Sequence, residues 1–317
     1  METFLDVLAT DENFNEAKYL SGNPDVASAI AAGTCKSGEL HFLSYGKKEG
    51  RKLRDDTGVE RLRAEKIARL ADRLDLDMPH TRNGLKYNFL TDELRKETGI
   101  VDTHAISGHD YDGNVKQMIR DFPTGLILDC GAGRRPIYYD NVINYEIVDY
   151  DTTDILGVGE RLPFKDDSFD GVVSVAVLEH VRDPFTCAAE IARVLRPGGR
   201  LFCVVPFLQP EHGYPRHYYN MAPQGLRALF ERRLTIDDHR VYASILPVWA
   251  LRWIVRSWAD GLPAQAREDF LSMPLRTLVE WANPQEILNK NWVTELPEQK
   301  NFELACATAL FAHKPAA

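Results

Sequence analysis

The residues best suited to chemistry in this chain form one short run, Gly125-Leu126-Ile127-Leu128-Asp129-Cys130-Gly131-Ala132-Gly133. An apolar stretch ending in an acid and two glycines one residue apart reads as a buried parallel strand entering a tight loop. Glycines there let backbone approach a ligand with no Cβ in the way. The Asp129 carboxylate can accept hydrogen bonds from a cationic amine or from the loop's own N–H groups. Open α/β sheets bind nucleotide-type ligands at such strand ends. A dinucleotide loop wants a third glycine where Pro136 stands, and no G-x-x-x-x-G-K-[ST] phosphate loop is present. An acid closing the strand also suits an ammonium better than a pyrophosphate.

Further segments follow in order. Ile143 to Tyr150 is strand-like, and Asp149 lies near its end at the spacing of an acid that holds a ribose hydroxyl pair. Next come Leu162-Pro163-Phe164 and the run from Ser168-Phe169-Asp170 to Leu178-Glu179-His180. Asp183 and Pro184 supply an N-cap and a first-turn proline, followed by apolar residues at helical spacing. Pro197-Gly198-Gly199 ends that helix, and Leu201 to Val205 is the next strand. Together these segments, over residues 124 to 230, resemble the class I S-adenosylmethionine-dependent methyltransferases, of the type 11 kind.

That resemblance implies a Rossmann-like, doubly wound, mostly parallel seven-stranded sheet. It implies S-adenosyl-L-methionine as cofactor, with Asp129, Gly131, Ala132 and Gly133 cradling its amino-acid end and Asp149 its ribose. Glu160, Val175 and Ala176 are carried over as further cofactor contacts. The adenine-side acid of the family precedes the Glu160 position, where this chain has Gly159, and Arg134-Arg135-Pro136 replaces small residues after the loop. Two rival readings follow: a degenerate methyltransferase fold serving as a binding subunit, and a nicotinamide enzyme, which the missing third glycine disfavours.

A loop from Pro206 to Asn220 follows the strand at Leu201, with three prolines, two histidines and three tyrosines. Such groups suit a hydroxylated, uncharged acceptor. The loop resembles one in methyltransferases encoded with polysaccharide-synthesis enzymes, with His217 and Asn220 replacing the usual acid and arginine. The expected reaction is O-methylation of a sugar or glycolipid intermediate of cell-surface polysaccharide, with a small metabolite or lipid as the alternative acceptor. His217 is the first candidate for general base and His212 the second, while His180 is expected to line the pocket. No metal ligand set is expected.

The elements that position these residues are read around them. Residues 1–57 form a small helical module, 58–123 a linker with covering helices, and 124–317 the methyltransferase domain with a helical insertion at about 240–300. Phe14, Tyr19, Leu20, Val26, Ile30, Leu40, Phe42, Leu43 and Tyr45 are its candidate core. The stretch 13–54 resembles a short "NPDVA" repeat of bacterial polysaccharide-related proteins and is a candidate protein-docking module. Residues 55 to 98 read as helical, with a stripe of Leu62, Ile67, Leu70 and Leu74 and a division at Pro79 and Gly84. His104, His109, Asp110, Tyr111 and Asp112 form a polar, aromatic cluster ahead of the glycine strand. Phe302 to Ala312 is the expected last, antiparallel strand.

The 317 residues are 44% hydrophobic and 27% charged, and the net charge of −9 argues against nucleic acid as a partner. Scattered cysteines without a C-x-x-C read as reduced thiols, which with the acidic N-terminus places the expectation in the cytoplasm. No apolar run is long enough to span a bilayer. The 241–259 stretch, rich in Leu, Ile, Val and Trp, is a candidate lid or peripheral membrane contact.

Overall fold

The computed structural model describes residues 2–100, 108–213, 215–280 and 284–306. Strands β1 (Glu2–Phe4) and β2 (Asp6–Leu8) lead into helices α1 (Glu16–Gly22), α2 (Pro24–Ala31) and α3 (Gly38–His41). A π-helical turn at Phe42–Gly46, α4 (Lys47–Glu49) and β3 (Lys52–Arg54) complete this unit. Tyr19, Val26, Phe42 and Leu53 are buried together, with Phe14, Leu20 and Ile30 packed on them. Leu40, Leu43 and Tyr45 do not join that core; each is about half exposed or more. Leu40 in α3 and Leu43 and Tyr45 in the π turn lie on the outer side of a segment too short to bury both faces. His41 is satisfied by the Tyr19 hydroxyl at 2.9 Å.

Helix α5 (Asp56–Leu70) follows, then a hairpin of β4 (Thr81–Asn83) and β5 (Lys86–Asn88), α6 (Asp92–Thr98) and α7 (Gly113–Asp121). The hairpin corrects the helical reading of residues 85–88. The two-residue loop is Gly84-Leu85, and Gly84 takes φ +59° at the first loop position, where a tight hairpin favours glycine. The helices begin where a short polar side chain accepts from the first turn: Asp55 for α5, Thr91 for α6 and Asp112 for α7.

The glycine-loop strand is β6 (Ile127–Cys130); β7 (Ile137–Tyr139), β8 (Val142–Glu146), β9 (Ile155–Leu156) and β10 (Phe169–Val175) come next. Helix α8 (Pro184–Val194) starts with Asp183 accepting from the backbone of Phe185 and Thr186, as the Asp-Pro pair predicts. Strand β11 (Leu195–Val204), helix α9 (Pro223–Phe230) and helices α10 (Pro247–Gly261), α11 (Ala264–Ser272), α12 (Leu275–Val279), α13 (Pro284–Leu288), α14 (Asn291–Thr294) and α15 (Glu298–Leu304) close the described chain. Residues 302–304 are therefore helical rather than the start of a strand. The rest of that expected strand, from residue 307, lies outside the described residues, as do His104 and Tyr214.

The sheet has seven strands in the order β11-β10-β6-β8-β9-β5-β4. All neighbours are parallel except β4 with β5. The mostly parallel, seven-stranded, doubly wound expectation holds, with the antiparallel strand at the β4 edge and contributed from upstream of the glycine strand. Register alternates as a pleat requires. Leu126, Leu128 and Cys130 face a core shared with α5, α8 and α9, while Ile127 faces α7 through Val115, Met118 and Ile119. Phe169 pairs Leu195 but Gly171 pairs Arg200, so Pro197-Gly198-Gly199 is looped out of the ladder. β1 pairs antiparallel with β7, and β2 with β3. Leu5 is buried against Val59, Leu62 and Tyr138.

Asp154, wholly buried, gathers a polar cluster behind β8. It accepts from Lys66 Nζ at 2.6 Å, Asn144 N at 2.9 Å, Arg63 Nε at 3.3 Å and the Tyr138 hydroxyl. Lys66 also donates to Val142 O at 2.6 Å and sits over the Tyr138 ring. Burial pulls the Lys66 ammonium down to about 8, against the attraction of Asp154. Removing one member leaves an uncompensated buried charge. Lys66→Ala is expected to cost about 3–5 kcal/mol, read as a lowered urea midpoint. A change under about 1 kcal/mol would mean that water replaces the ammonium.

Asp151 joins the N-terminal unit to the sheet by accepting from Arg54 and from Arg134 Nη2 at 2.9 Å. Burial favours a raised carboxyl pKa, but the two guanidinium hydrogen bonds outweigh it and hold the group below its usual value. Its stabilisation is therefore full above the unfolded aspartate pKa, near 4, and is lost as pH falls further. Asp151→Asn is expected to reduce the loss of stability below that pH, measured by denaturant titration across an acid series.

Candidate active site

The carboxyl ends of β6, β8, β9 and β10 form one edge, and the candidate ligand-binding residues lie along it. The loop after β6 turns with Gly131 at φ +84° and Gly133 at φ +61°. A Cβ on Gly131 would stand 2.4 Å from Val177 Cγ2, so the position needs glycine for both conformation and space. Gly131 N and Ala132 N both donate to Tyr145 O, at 2.9 and 3.1 Å. Gly133 N donates to Glu146 Oε2 at 2.7 Å. The loop is thereby latched to the end of β8. Arg134-Arg135-Pro136 then runs straight into β7.

Asp129 is fully buried. Its Oδ2 accepts from Arg135 Nη2 at 2.8 Å, Arg135 Nε at 3.0 Å and the Tyr111 hydroxyl at 2.5 Å. The Arg135 guanidinium lies 4.2 Å from the Tyr111 ring centre and donates also to His109 O. Asp129 Oδ1 is buried and has no hydrogen-bond partner. One oxygen is thus committed to structure, and the other is available to a donor from outside the chain.

Glu146 closes β8 and is 9% exposed. Burial raises its pKa, opposed by N–H donors from Gly133, Ile147 and Val148. A carboxylate offers about four acceptor sites, so these three leave capacity for a ligand. Asp149 lies three residues beyond the strand, exposed, and pairs with Lys86 Nζ at 2.5 Å. Strand β8 stops at Glu146, earlier than the run to Tyr150 suggests. Glu146 was therefore not singled out from sequence, although it is the acid at the strand end. Glu160 follows β9 and accepts from Arg182 N at 3.1 Å. Val175 ends β10, and Ala176 after it takes φ +56°, unusual for a residue with a Cβ.

Beyond Ala176 the chain brings together Glu179, His180, His212 and His217. The loop of 206–220 folds back over β10, with Tyr218 N donating to Glu179 O at 2.7 Å. The ring of His180 lies 5.3 Å from that of His212 and 5.7 Å from that of His217, and the latter two are 4.5 Å apart. His217 Nδ1 accepts from His212 N at 3.1 Å, and its Nε2 faces Asn220 Oδ1 at 3.2 Å. Both of its nitrogens are engaged, so it orients the loop. In His180, Nδ1 meets Arg216 O at 2.7 Å; in His212, Nδ1 meets Pro210 O at 2.8 Å. A carbonyl only accepts, so both Nδ1 atoms carry the proton and both Nε2 lone pairs are free. Burial lowers the pKa of His180 and of His212, keeping both rings neutral near pH 7. Burial also pushes Glu179 up to about 8. From sequence the three histidines read as placed around one pocket, but Glu179 has no part in it, because the loop's return to β10 has no local signal.

A cavity of about 1260 Å³ extends from Ala176 along β11 to α9 and α10, its wall including Phe207, Met221, Tyr242, Trp249 and Trp253. Trp253 also lies 5.0 Å from the His212 ring. Among the described residues no helix is long and apolar enough to cross a membrane.

Residues 130–203 match the family model described as a methyltransferase domain. The chain is 31% identical over 150 residues to a demethylmenaquinone methyltransferase of Renibacterium salmoninarum, covering 47% of this chain and 53% of the relative. It is 50% identical over 125 residues to an uncharacterised methyltransferase of Mycobacterium bovis, covering 37% and 51%. The chain thus spans about half the length of these curated relatives. Among solved structures, the YcgJ protein of Bacillus subtilis is 20% identical with a TM-score of 0.33, covering 54% of this chain and 85% of that one.

Proposed function

We propose that the chain is an S-adenosylmethionine-dependent methyltransferase. The observation that carries this reading is Asp129 Oδ1, buried and without a partner beside a loop that excludes a side chain at Gly131. An orphaned carboxylate oxygen fits an ammonium, and a glycine edge fits close backbone approach. The match of residues 130–203 to a methyltransferase domain supports it independently. When bound, this cofactor supplies an electrophilic methyl group. Asp129, Gly131, Ala132 and Gly133 would hold its amino-acid end, Glu146 its ribose with Asp149 nearby, and Glu160, Val175 and Ala176 the remaining wall.

The acceptor we favour is a hydroxyl of a sugar or glycolipid, acting in the cytoplasm. A hydroxyl nucleophile must shed its proton, and the free Nε2 atoms of His212 and His180 are suited to assist. His217 acts with His212 by fixing its backbone. Tyr218 and Tyr219 are partly exposed and offer rings for stacking on a sugar. A second reading, a quinone-like aromatic lipid, is favoured by the cavity beside Ala176 with Phe207, Met221, Trp249 and Trp253 in its wall. The first residues' resemblance to a polysaccharide-related repeat keeps the docking role of 13–54 as part of the proposal.

Calorimetry with S-adenosylmethionine and S-adenosylhomocysteine tests the cofactor. Glu146→Gln is expected to weaken binding by roughly 10- to 100-fold, the worth of hydrogen bonds to a charged group. Asp149→Ala is expected to weaken it less. The reverse order would move the ribose to Asp149, and no binding to the wild type would remove the methyltransferase reading.

Radiolabelled methyl transfer to nucleotide sugars, polysaccharide fractions and lipid extracts tests the acceptor. Label in the sugar fractions is expected, reduced in His212→Ala and reduced less in His217→Ala. Label confined to lipid quinones would replace the glycan with the second reading.

A further inference from the structure

We propose that Glu179, His180 and His212 form a binding site for a divalent transition-metal ion of the zinc class. One ligand atom from each of the three lies within 4.8 Å of the others. Small closing movements bring such atoms to metal distances of about 2.0–2.2 Å. Both histidines are prepared as ligands: each spends Nδ1 on a backbone carbonyl, Arg216 O or Pro210 O, and presents Nε2. That outer hydrogen bond is the usual partner of a metal-bound imidazole, because it fixes tautomer and ring orientation.

Glu179 is the independent observation. Its side chain is fully buried, and neither carboxylate oxygen has a hydrogen-bond partner. His180 Nε2 stands 3.7 Å from its Oε1, beyond hydrogen-bond distance. A buried carboxylate so placed is costly unless a proton or a cation neutralises it, and a metal ion would displace that proton on binding. Packing holds the arrangement: the Gly213 backbone, at φ +82°, lies against the His180 ring, where a Cβ would come within 2.3 Å of Cε1. Two nitrogens and one oxygen suit zinc, and three protein ligands leave a position open.

The place in the fold suggests what fills that position. Val177, two residues before Glu179, is the side chain against Gly131 of the glycine loop. The ion would therefore sit next to the proposed methyl donor. Resting on the methyltransferase reading, the open position would take the acceptor's oxygen. Coordination there makes a hydroxyl more acidic, so with the ion bound the two histidines serve as ligands in place of direct bases and the proton passes to solvent.

The test uses the full chain, stripped with a chelator and titrated separately with Zn²⁺ and with Co²⁺. One ion per chain is expected, with Co²⁺ giving the strong visible bands of four- or five-coordination. Glu179→Gln, near in shape, should weaken binding at least tenfold; His180→Ala and His212→Ala should abolish the bands. His239→Ala, an exposed histidine elsewhere, should change nothing. Absence of binding to the wild type, or unchanged bands in folded Glu179→Gln and in the double variant His180→Ala/His212→Ala, would overturn the site. Calorimetry with S-adenosylhomocysteine on the same samples separates the outcomes: metal binding without cofactor binding sinks the methyltransferase reading alone.

Discussion

The buried ion pair of Asp129 and Arg135 is the constraint on which the ligand-binding edge depends. Both side chains are about 2% exposed or less, so neither charge is stable without the other. The pair spans the glycine loop, joining the end of β6 to the residue where the chain leaves for β7. Arg135 must therefore turn inward, and Gly131 and Gly133 must adopt left-handed conformations to allow it. Tyr111 closes the pair from the α7 side, by hydrogen bond and by stacking under the guanidinium. What remains is a loop of fixed shape with a single unspent carboxylate oxygen. A binding site arises from incomplete satisfaction of a structural ion pair.

The same device recurs elsewhere in the sheet. Asp154 anchors α5 behind β8, Asp151 anchors the N-terminal unit, and Asp170 accepts from Leu126 N at the start of the glycine strand. Acids of the sheet and its loops thus receive cations and N–H groups from segments distant in sequence. The crossover from β6 to β8 contains no helix in this chain, and α5, from well upstream, covers that part of the sheet. Lys66 and Arg69 make the attachment, reaching backbone carbonyls of Val142, Asp140, Thr124 and Gly125.

Legibility in the sequence followed locality. Asp183-Pro184 specified a helix start, and β6 was marked by an apolar run meeting glycines, because both signals lie within a few residues. The stripe of Leu62, Ile67, Leu70 and Leu74 is buried as its spacing indicates. The β4–β5 hairpin carries its own local mark, Gly84, but within a charged stretch that glycine reads equally as a break between two helices. The end of β8 was misjudged because Ile147, Val148 and Tyr150 continue the apolar pattern after pairing stops; sheet geometry, not composition, ends the strand at Glu146. Arg135 on Asp129 and the meeting of Glu179 with His212 had no sequence signature, since each depends on how a loop returns.

The pairing of β1 with β7 bears on how this chain is made. Glu2–Phe4 are synthesised well before their partners, Ile137–Tyr139. At about 5–20 residues per second, a ribosome needs on the order of ten seconds to supply them. During that interval Phe4 and Leu5 have no sheet to join, and the helical unit of residues 16–49 can form while the strand leading into it waits. This closure joins an earlier-made segment of the nascent chain to a strand beside the glycine loop. Long-range closures of this kind are slow because loop entropy must be overcome first. Assembly of the ligand-binding edge is thereby deferred until most of the sheet has emerged.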